Sequence, residues 1–391
     1  MASPTDLISQ GIAPFVGVTD EYLRVWRVIL FSMSGMAAVT QAFQQDVAAG
    51  GDVASQARQT INSLGGGATD DVSVLTSEVP TGMGEGIETY AAGLRVHFIV
   101  NQTSYQTPNT LELTIYNLRD DVAKNLIKVD NYIVLQAGYE WGNAGTIFSG
   151  TIKMFKVGHE TATDSYLKIY AGDGEPAYNN ATNNNTLPKQ TQPREQLRTM
   201  TEKFQQYQVP EDYIDQAVLT TPALLREHVQ YGMTADLVRD FSQQNGATWY
   251  ILNQKFNYLA PKRYKPGRII DLNSASGLIG FPEVTPDGIN VTCLINSAIE
   301  IRGLIQLNNK FINQYFMPGG ESGGFSNWPS YGAQQYYWHL SGNQDGIYTP
   351  VVINYEGDSR GGPWYMYMQC LSVGQAGDVL SAVFGGLFKM F

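Results

Sequence analysis

Histidine, cysteine and charge are all scarce in this sequence, and each shortage removes a class of function. The four histidines, His97, His159, His228 and His339, are isolated from one another, with no HExxH, no closely spaced pair and no CxxC. A dedicated zinc or iron site needs such spacing, so no metal site is expected. His97 alternates with apolar neighbours and reads as a satisfied histidine inside a β-barrel. Two cysteines, Cys293 and Cys370, cannot build a disulfide framework. Both lie in apolar, strand-like runs, as buried free thiols of a chain assembled in a reducing cytoplasm do. Long hydrophobic runs are also lacking. The most apolar early stretch, 28–39, is too short to cross a bilayer and follows Arg24 and Arg27. The start, Met1-Ala2-Ser3-Pro4-Thr5-Asp6, has neither the basic nor the apolar region of a signal peptide. No stable membrane association is expected.

Only 16% of residues are charged, and the 25 basic residues are outnumbered by 36 acidic ones, giving a net charge of −11. An acidic chain gains nothing from a phosphate backbone, so specific nucleic-acid binding is not expected. An acidic channel wall would let DNA pass without sticking, although such a charge also simply keeps a large protein soluble. What the chain does have is 40 glycines, 12% aromatic residues and 43% hydrophobic residues. The aromatic content excludes disorder, and the composition is that of a β-rich protein with many turns. Scarce charge also suits a surface that neighbouring subunits cover.

The motifs that carry chemistry are absent or incomplete. In Gly82-x-Gly84-x-Gly86 the third glycine comes one position early for a dinucleotide loop, and no G-x-x-x-x-G-K-[ST] occurs. Ser149 and Ser276 lack the first glycine of a nucleophile elbow. Asp120-Asp121 and Glu211-Asp212 are adjacent carboxylates, which cap helices and turns rather than face each other across a sugar. Asp287-Gly288 and Asp345-Gly346 are turn signals. The aromatic clusters Tyr336-Tyr337-Trp338 and Trp364-Tyr365-Met366-Tyr367 suit a core or subunit contact, with stacking on sugars as the other reading. No catalytic, cofactor-binding or metal-binding residue is expected, and the chain is read as non-enzymatic.

The fold class expected is α+β and β-dominated, with two small antiparallel β-barrel-like domains joined by helical segments. The first domain occupies 1–175. It has strands at 22–31, 94–100, 110–116, 132–137, 146–155 and 165–171, a short helix at 117–127 capped by Asn117, and a helical or loop insertion at about 33–90, with helical spacing over 36–64. Residues 176–246 form a polar bridge, rich in Asn, Thr, Gln and Pro over 178–193, and then helices at 194–204, 222–229 and 234–241. Thr234 is the expected cap of the last helix, and Asn245-Gly246 its stop. The second β domain occupies 247–373, with strands at 248–252, 255–259, 277–280, 289–295, 304–307, 334–340, 347–355 and 364–373. At 374–391 the pattern becomes that of an amphipathic helix capped by Asp378. Val379, Leu380, Val383, Phe384, Leu387, Phe388 and Phe391 share one face. That face either packs on its own domain or docks on a partner subunit.

Several segments, in order, resemble the tail-hub proteins of contractile-tailed bacteriophages, which are related to the base of bacterial injection-system spikes. They include Thr107-Pro108-Asn109-Thr110-Leu111-Glu112-Leu113-Thr114-Ile115-Tyr116-Asn117-Leu118, Thr146-Ile147-Phe148-Ser149-Gly150-Thr151-Ile152 and Ala171-Gly172-Asp173-Gly174. Later come Asp287-Gly288-Ile289-Asn290-Val291-Thr292-Cys293 and Gly357-Asp358-Ser359-Arg360-Gly361-Gly362-Pro363-Trp364-Tyr365. The resemblance spans roughly 94–373 and leaves out 33–86 and the C-terminal tail. It implies a homotrimeric hub in the baseplate of a virion tail, adapting a sixfold tail tube to a threefold central spike. Its partners would be further copies of itself, the tail tube protein, the spike, and tape-measure and baseplate wedge proteins, with DNA only in transit through the channel. The other readings are a carbohydrate-binding or carbohydrate-cleaving tail protein, and a spike-base subunit of a bacterial contractile injection system.

Overall fold

The computed structural model describes residues 24–31, 72–76, 88–90, 94–118, 131–139, 144–261, 263–285, 288–307 and 346–373. The protein is β-dominated. The first set of strands comprises β1 (Arg24–Phe31), β2 (Val72–Thr76), β3 (Glu88–Tyr90), β4 (Val96–Thr103), β5 (Thr110–Tyr116), β6 (Tyr132–Tyr139), β7 (Gly145–His159) and β8 (Ser165–Gly172). In β4, Val96, Phe98, Val100 and Gln102 are buried while the residues between them are less so, the period of two that one buried sheet face imposes. β7 is long because it serves two partners. Gly145 to Thr151 pairs with β6, and Thr151 to His159 pairs with β8. The ladder shifts near both junctions, so β7 turns the corner of the curled sheet.

Between the two β sets lies a smaller unit made of α1 (Glu175–Asn180), β9 (Thr182–Leu187), α2 (Pro193–Gln205), β10 (Glu211–Ile214), β11 (His228–Met233), α3 (Thr234–Gln244), β12 (Thr248–Leu252) and β13 (Lys255–Leu259). Its core gathers Leu197, Met200 and Phe204 from α2, Val238 and Phe241 from α3, and Trp249, Phe256 and Tyr258 from the hairpin β12–β13. β12 is buried on both faces. Trp249 and Ile251 enter this core, while Tyr250 and Leu252 enter the main one. A strand reading Trp-Tyr-Ile-Leu is therefore the joint that packs the helical unit onto the sheet.

The second set comprises β14 (Ile269–Leu272), β15 (Leu278–Thr285), β16 (Gly288–Leu294), β17 (Leu304–Leu307), β18 (Ile347–Asp358) and β19 (Trp364–Ser372). The two sets do not stand apart. β18 pairs antiparallel with β4, from Val352 opposite Thr103 to Asp358 opposite His97. This ladder merges them into one 14-stranded sheet whose main path runs β15-β16-β19-β18-β4-β5-β8-β7-β6-β1-β2-β3. At the seam Trp364 is fully buried, meets Phe98 edge-on at 5.1 Å and donates its indole N–H to the Gly138 carbonyl at 3.0 Å. Gly357 faces the same ring. A Cβ there would sit 2.2 Å from Phe98 Cζ, so only glycine leaves room for the aromatic pair.

Most expected strands, α2 and α3 occur where the residue patterns place them; within the expected helical or loop insertion, β2 and β3 are instead strands that continue the sheet from β1, and four further details differ. The segment 222–229, expected as a helix, is irregular and then enters β11, because Val229 and Tyr231 pair with the Asn-rich run instead. That run, expected as a polar bridge, is strand β9. Asn183 Nδ2 donates to Gln230 Oε1 at 3.2 Å, so amide side chains do what apolar ones do elsewhere. Thr234 begins α3 rather than capping it, and Met233 holds the cap position. β12 and β13 form a three-stranded sheet with β10 instead of extending the second β set. The helical reading over 36–64, that over 117–127 from residue 119 on, the strand at 334–340 and the amphipathic helix after 374 lie outside the described residues, as does Gly82-x-Gly84-x-Gly86. Trp364→Ala, which opens a cavity at the seam, is expected to lower stability by about 3–5 kcal/mol in urea denaturation, without shifting the slope of the transition.

Candidate functional site

Two polar joints hold the three parts of the molecule in register. The first closes the seam. β18 ends at Asp358, a buried carboxylate that accepts from Arg95 Nη2 at 2.7 Å, Arg95 Nε at 3.2 Å and the Arg360 N–H at 2.9 Å. Burial pushes this carboxyl up, but Arg95 and the Arg360 amide outweigh it and hold it below the usual carboxylate value. Arg24, from the start of β1, is buried as well. It donates to the Asp358 carbonyl at 2.6 Å and lies over the Trp364 ring at 5.8 Å. From β6, Tyr139 donates its hydroxyl to the Trp364 carbonyl at 2.8 Å. The ends of β1, β4, β6, β18 and β19 thus meet in one cluster.

The second joint fastens the helical unit. Asp173, immediately after β8, is completely buried. Its carboxylate accepts from the Asn253 and Gln254 N–H groups, each at 2.7 Å, and from Asn109 Nδ2 at 3.2 Å. Asn253 and Gln254 have φ of 50° and 62°, the left-handed pair of a tight two-residue hairpin turn between β12 and β13. Asn109 completes the clamp. Its amide also donates to the Ile251 carbonyl at 2.9 Å, and its oxygen accepts from the Thr103 N–H at 2.9 Å. Burial pushes the Asp173 carboxyl up to about 7, against the three donors that pull it down.

The residues singled out from the sequence are scattered rather than convergent. His97 is half-buried in register with Asp358, whereas His159 and His228 are exposed on separate strands. Cys293 and Cys370 are buried free thiols on the paired strands β16 and β19, and burial raises Cys293 to about 12. Glu211 and Asp212 diverge within β10. Glu211 binds Arg194 at 2.6 Å and accepts from the Thr201 hydroxyl, while Asp212 binds Lys265 at 2.5 Å. Ser149 sits within β7, and Ser276 is a turn residue whose hydroxyl donates to the Asp271 carbonyl at 2.8 Å. Trp364 is a core residue rather than a sugar platform; Tyr367 beside it is exposed. Asn117 has φ of 55°, and its oxygen accepts from the Ser165 N–H at 3.0 Å. His339, Asp120-Asp121, Asp287, Asp345, Tyr336-Tyr337-Trp338 and the apolar face from Val379 to Phe391 lie outside the described residues. Among the described residues there is no group of three or more His, Cys, Asp or Glu able to hold a metal ion, and no helix long and apolar enough to cross a membrane. On the surface, the outer half of β7 presents Met154, Phe155 and Val157, at 54%, 38% and 57% exposure, beside Lys153 and Lys156. This length of strand is paired only on its β8 side among the described residues.

No protein-family model matches the sequence, and no curated protein matches it. Among solved structures, the chain is similar to the 43 kDa tail protein of prophage MuSo2 from Shewanella oneidensis, with 6% identity, a TM-score of 0.45, and 72% of this chain and 97% of that chain covered. It is similar to a tail protein from Neisseria meningitidis, at 6% identity and a TM-score of 0.44 over 72% of this chain and 96% of the other. A Francisella PdpA–VgrG complex gives 7% identity and a TM-score of 0.47, with 95% and 61% covered.

The Asp173 joint makes stability depend on pH in a definite direction. Burial pushes its carboxyl up to about 7 in the fold, against ~3.9 in an unfolded chain. The fold therefore holds a proton that the unfolded chain has already lost, and this contribution, full below about pH 4, fades as pH rises to about 7. Asp173→Asn is expected to flatten that part of the melting-temperature profile. It also sets an NH2 against a backbone N–H, at a cost of about 1–3 kcal/mol.

Proposed function

We propose that this chain is a non-enzymatic structural subunit of a phage tail, the baseplate hub that joins the tail tube to the central spike within the virion. The observation that carries this reading is the β4–β18 ladder, which sets two successive β units of one chain edge to edge in a single curled sheet. A chain that presents two such units side by side gives six across a homotrimer. Threefold symmetry on the spike side then meets sixfold symmetry on the tube side without any change of sequence. The order of hub-like segments along 94–373 supports the same reading, because Ala171-Gly172-Asp173-Gly174 and Gly357-Asp358-Ser359-Arg360 fall at the two joints. The net charge of −11 suits a channel through which DNA passes without binding. In this assignment the partners are further copies of the chain, the tail tube protein, the spike, and tape-measure and wedge proteins.

The test is the mass of the purified protein by light scattering, together with electron microscopy of intact particles. The expected results are a trimer and a ring with a central pore on the tail axis. A monomer at micromolar concentration that fails to bind tube protein would overturn the assignment.

A further inference from the structure

A free strand edge accepts any other strand, and folded chains blunt such edges with charge, proline or a bulge. Two edges of this molecule are blunted in that way. β15 carries Pro282 and Glu283 beside a break in its register between Ile279 and Glu283, and the outer half of β7 carries Lys153 and Lys156. The two-stranded ribbon of β9 and β11 has no such protection. Its register runs without a shift from His228 opposite Leu187 to Met233 opposite Thr182. Neither 182–187 nor 229–233 contains a charged residue or a proline. Among the described residues neither strand pairs with a third, so each has N–H and C=O groups that point away from the shared ladder.

The two faces of the ribbon differ. The inner face rests on α2, where Gln230 Oε1 accepts from the Thr199 hydroxyl at 2.9 Å and Gln230 Nε2 donates to the Gln196 carbonyl at 3.3 Å. The outer face sets Val229 opposite Thr186 and Tyr231 opposite Asn184, with Val229 and Tyr231 60% and 76% exposed. Leu225, shortly before β11, is 94% exposed. An apolar, charge-free surface that carries two open edges marks a contact with another chain. The edges also say which chain. A strand from a different protein would pair with one edge and leave the other open, whereas a copy of this chain brings both. Rotation about an axis along the strands keeps β9 and β11 in their original directions. The β11 edge of one copy then meets the β9 edge of the next in antiparallel order, and a closed ring leaves no edge uncovered. Copies with a net charge of −11 repel one another, and this ribbon is where they can meet without opposing like charges.

We propose that the β9–β11 ribbon is the contact between copies of this chain, the β9 edge of one copy joining the β11 edge of the next. In a trimer, three ribbons close around the threefold axis. This inference rests on the trimeric reading given above and names the surface that holds the ring together.

The experiment is light scattering of the full chain for the native protein, for Tyr231→Phe and for the double variant Val229→Lys, Tyr231→Lys, joined to hydrogen–deuterium exchange of β9 and β11. Both side chains are exposed within one chain, so lysine there leaves the fold of the subunit intact while bringing like charges together around the axis. The expected results are a trimer for the native protein and for Tyr231→Phe, and the mass of a single chain for the double variant at micromolar concentration. The amides of β9 and β11 that point away from their shared ladder should be protected in the native trimer and exposed on dilution to the monomer. A double variant that stays trimeric, with those amides exchanging fast in the native trimer as well, overturns this contact and leaves the hub reading standing. A native protein that is monomeric overturns the hub reading and this contact with it. The exchange of the native protein decides the matter by itself if the double variant does not fold.

Discussion

The antiparallel pairing of β4 with β18 is the constraint on which the rest of the structure depends. An open sheet edge is a liability, since its unpaired N–H and C=O groups invite any other strand. Here each β set closes the edge of the other. The side chains fit the pairing: Val100 and Phe98 lie opposite Tyr355 and Gly357, all turned to the buried face. A larger residue at 357 would collide with Phe98, and without Trp364 the ring would lose its neighbour. Arg95 and Asp358 then fix the end of the ladder, so a slip of one residue would expose the aromatic face and strand a buried carboxylate.

The helical unit is attached by a different device. β12 sends alternate side chains into two cores, which makes it part of both units at once. Asp173 and Asn109 hold the turn of the same hairpin from the side of the first β set. The apolar contacts supply most of the stability, while the carboxylate supplies direction, because the β12–β13 turn offers it two adjacent N–H donors. Both joints thus follow one scheme, a buried acid at the end of a strand (Asp358 on β18, Asp173 just past β8) that accepts across a boundary between units, Asp358 from the Arg95 guanidinium and Asp173 from two backbone amides. They respond oppositely to pH. Asp358 is held low by a guanidinium, whereas Asp173 faces no cation among its bonding partners and is raised by burial.

Much of the β framework was legible because its strands bury alternate residues, and Leu94 to Val100 or Thr110 to Tyr116 carry that period openly. β9 was not, because Thr-Asn-Asn-Asn-Thr-Leu has the composition of a linker, and its pairing with β11 is visible only once the two are brought together. The assignment of β12 and β13 to the second β set failed for a related reason. Their apolar pattern identifies strands but does not say which sheet they join, and β10, short and acidic at its start, gave no sign of being their partner. The joints were hidden more deeply. Gly172-Asp173-Gly174 reads locally as a turn, and nothing in it indicates that the carboxylate caps a hairpin 80 residues later.

The most direct test of this account is hydrogen–deuterium exchange across the seam. The account predicts that the paired amides of β4 and β18 between residues 97 and 103 and between 352 and 358 are protected as strongly as those of β5 and β19, and open together with them. Early exchange confined to β4 and β18, with both β sets still protected, would show two separate domains lying side by side and would contradict it.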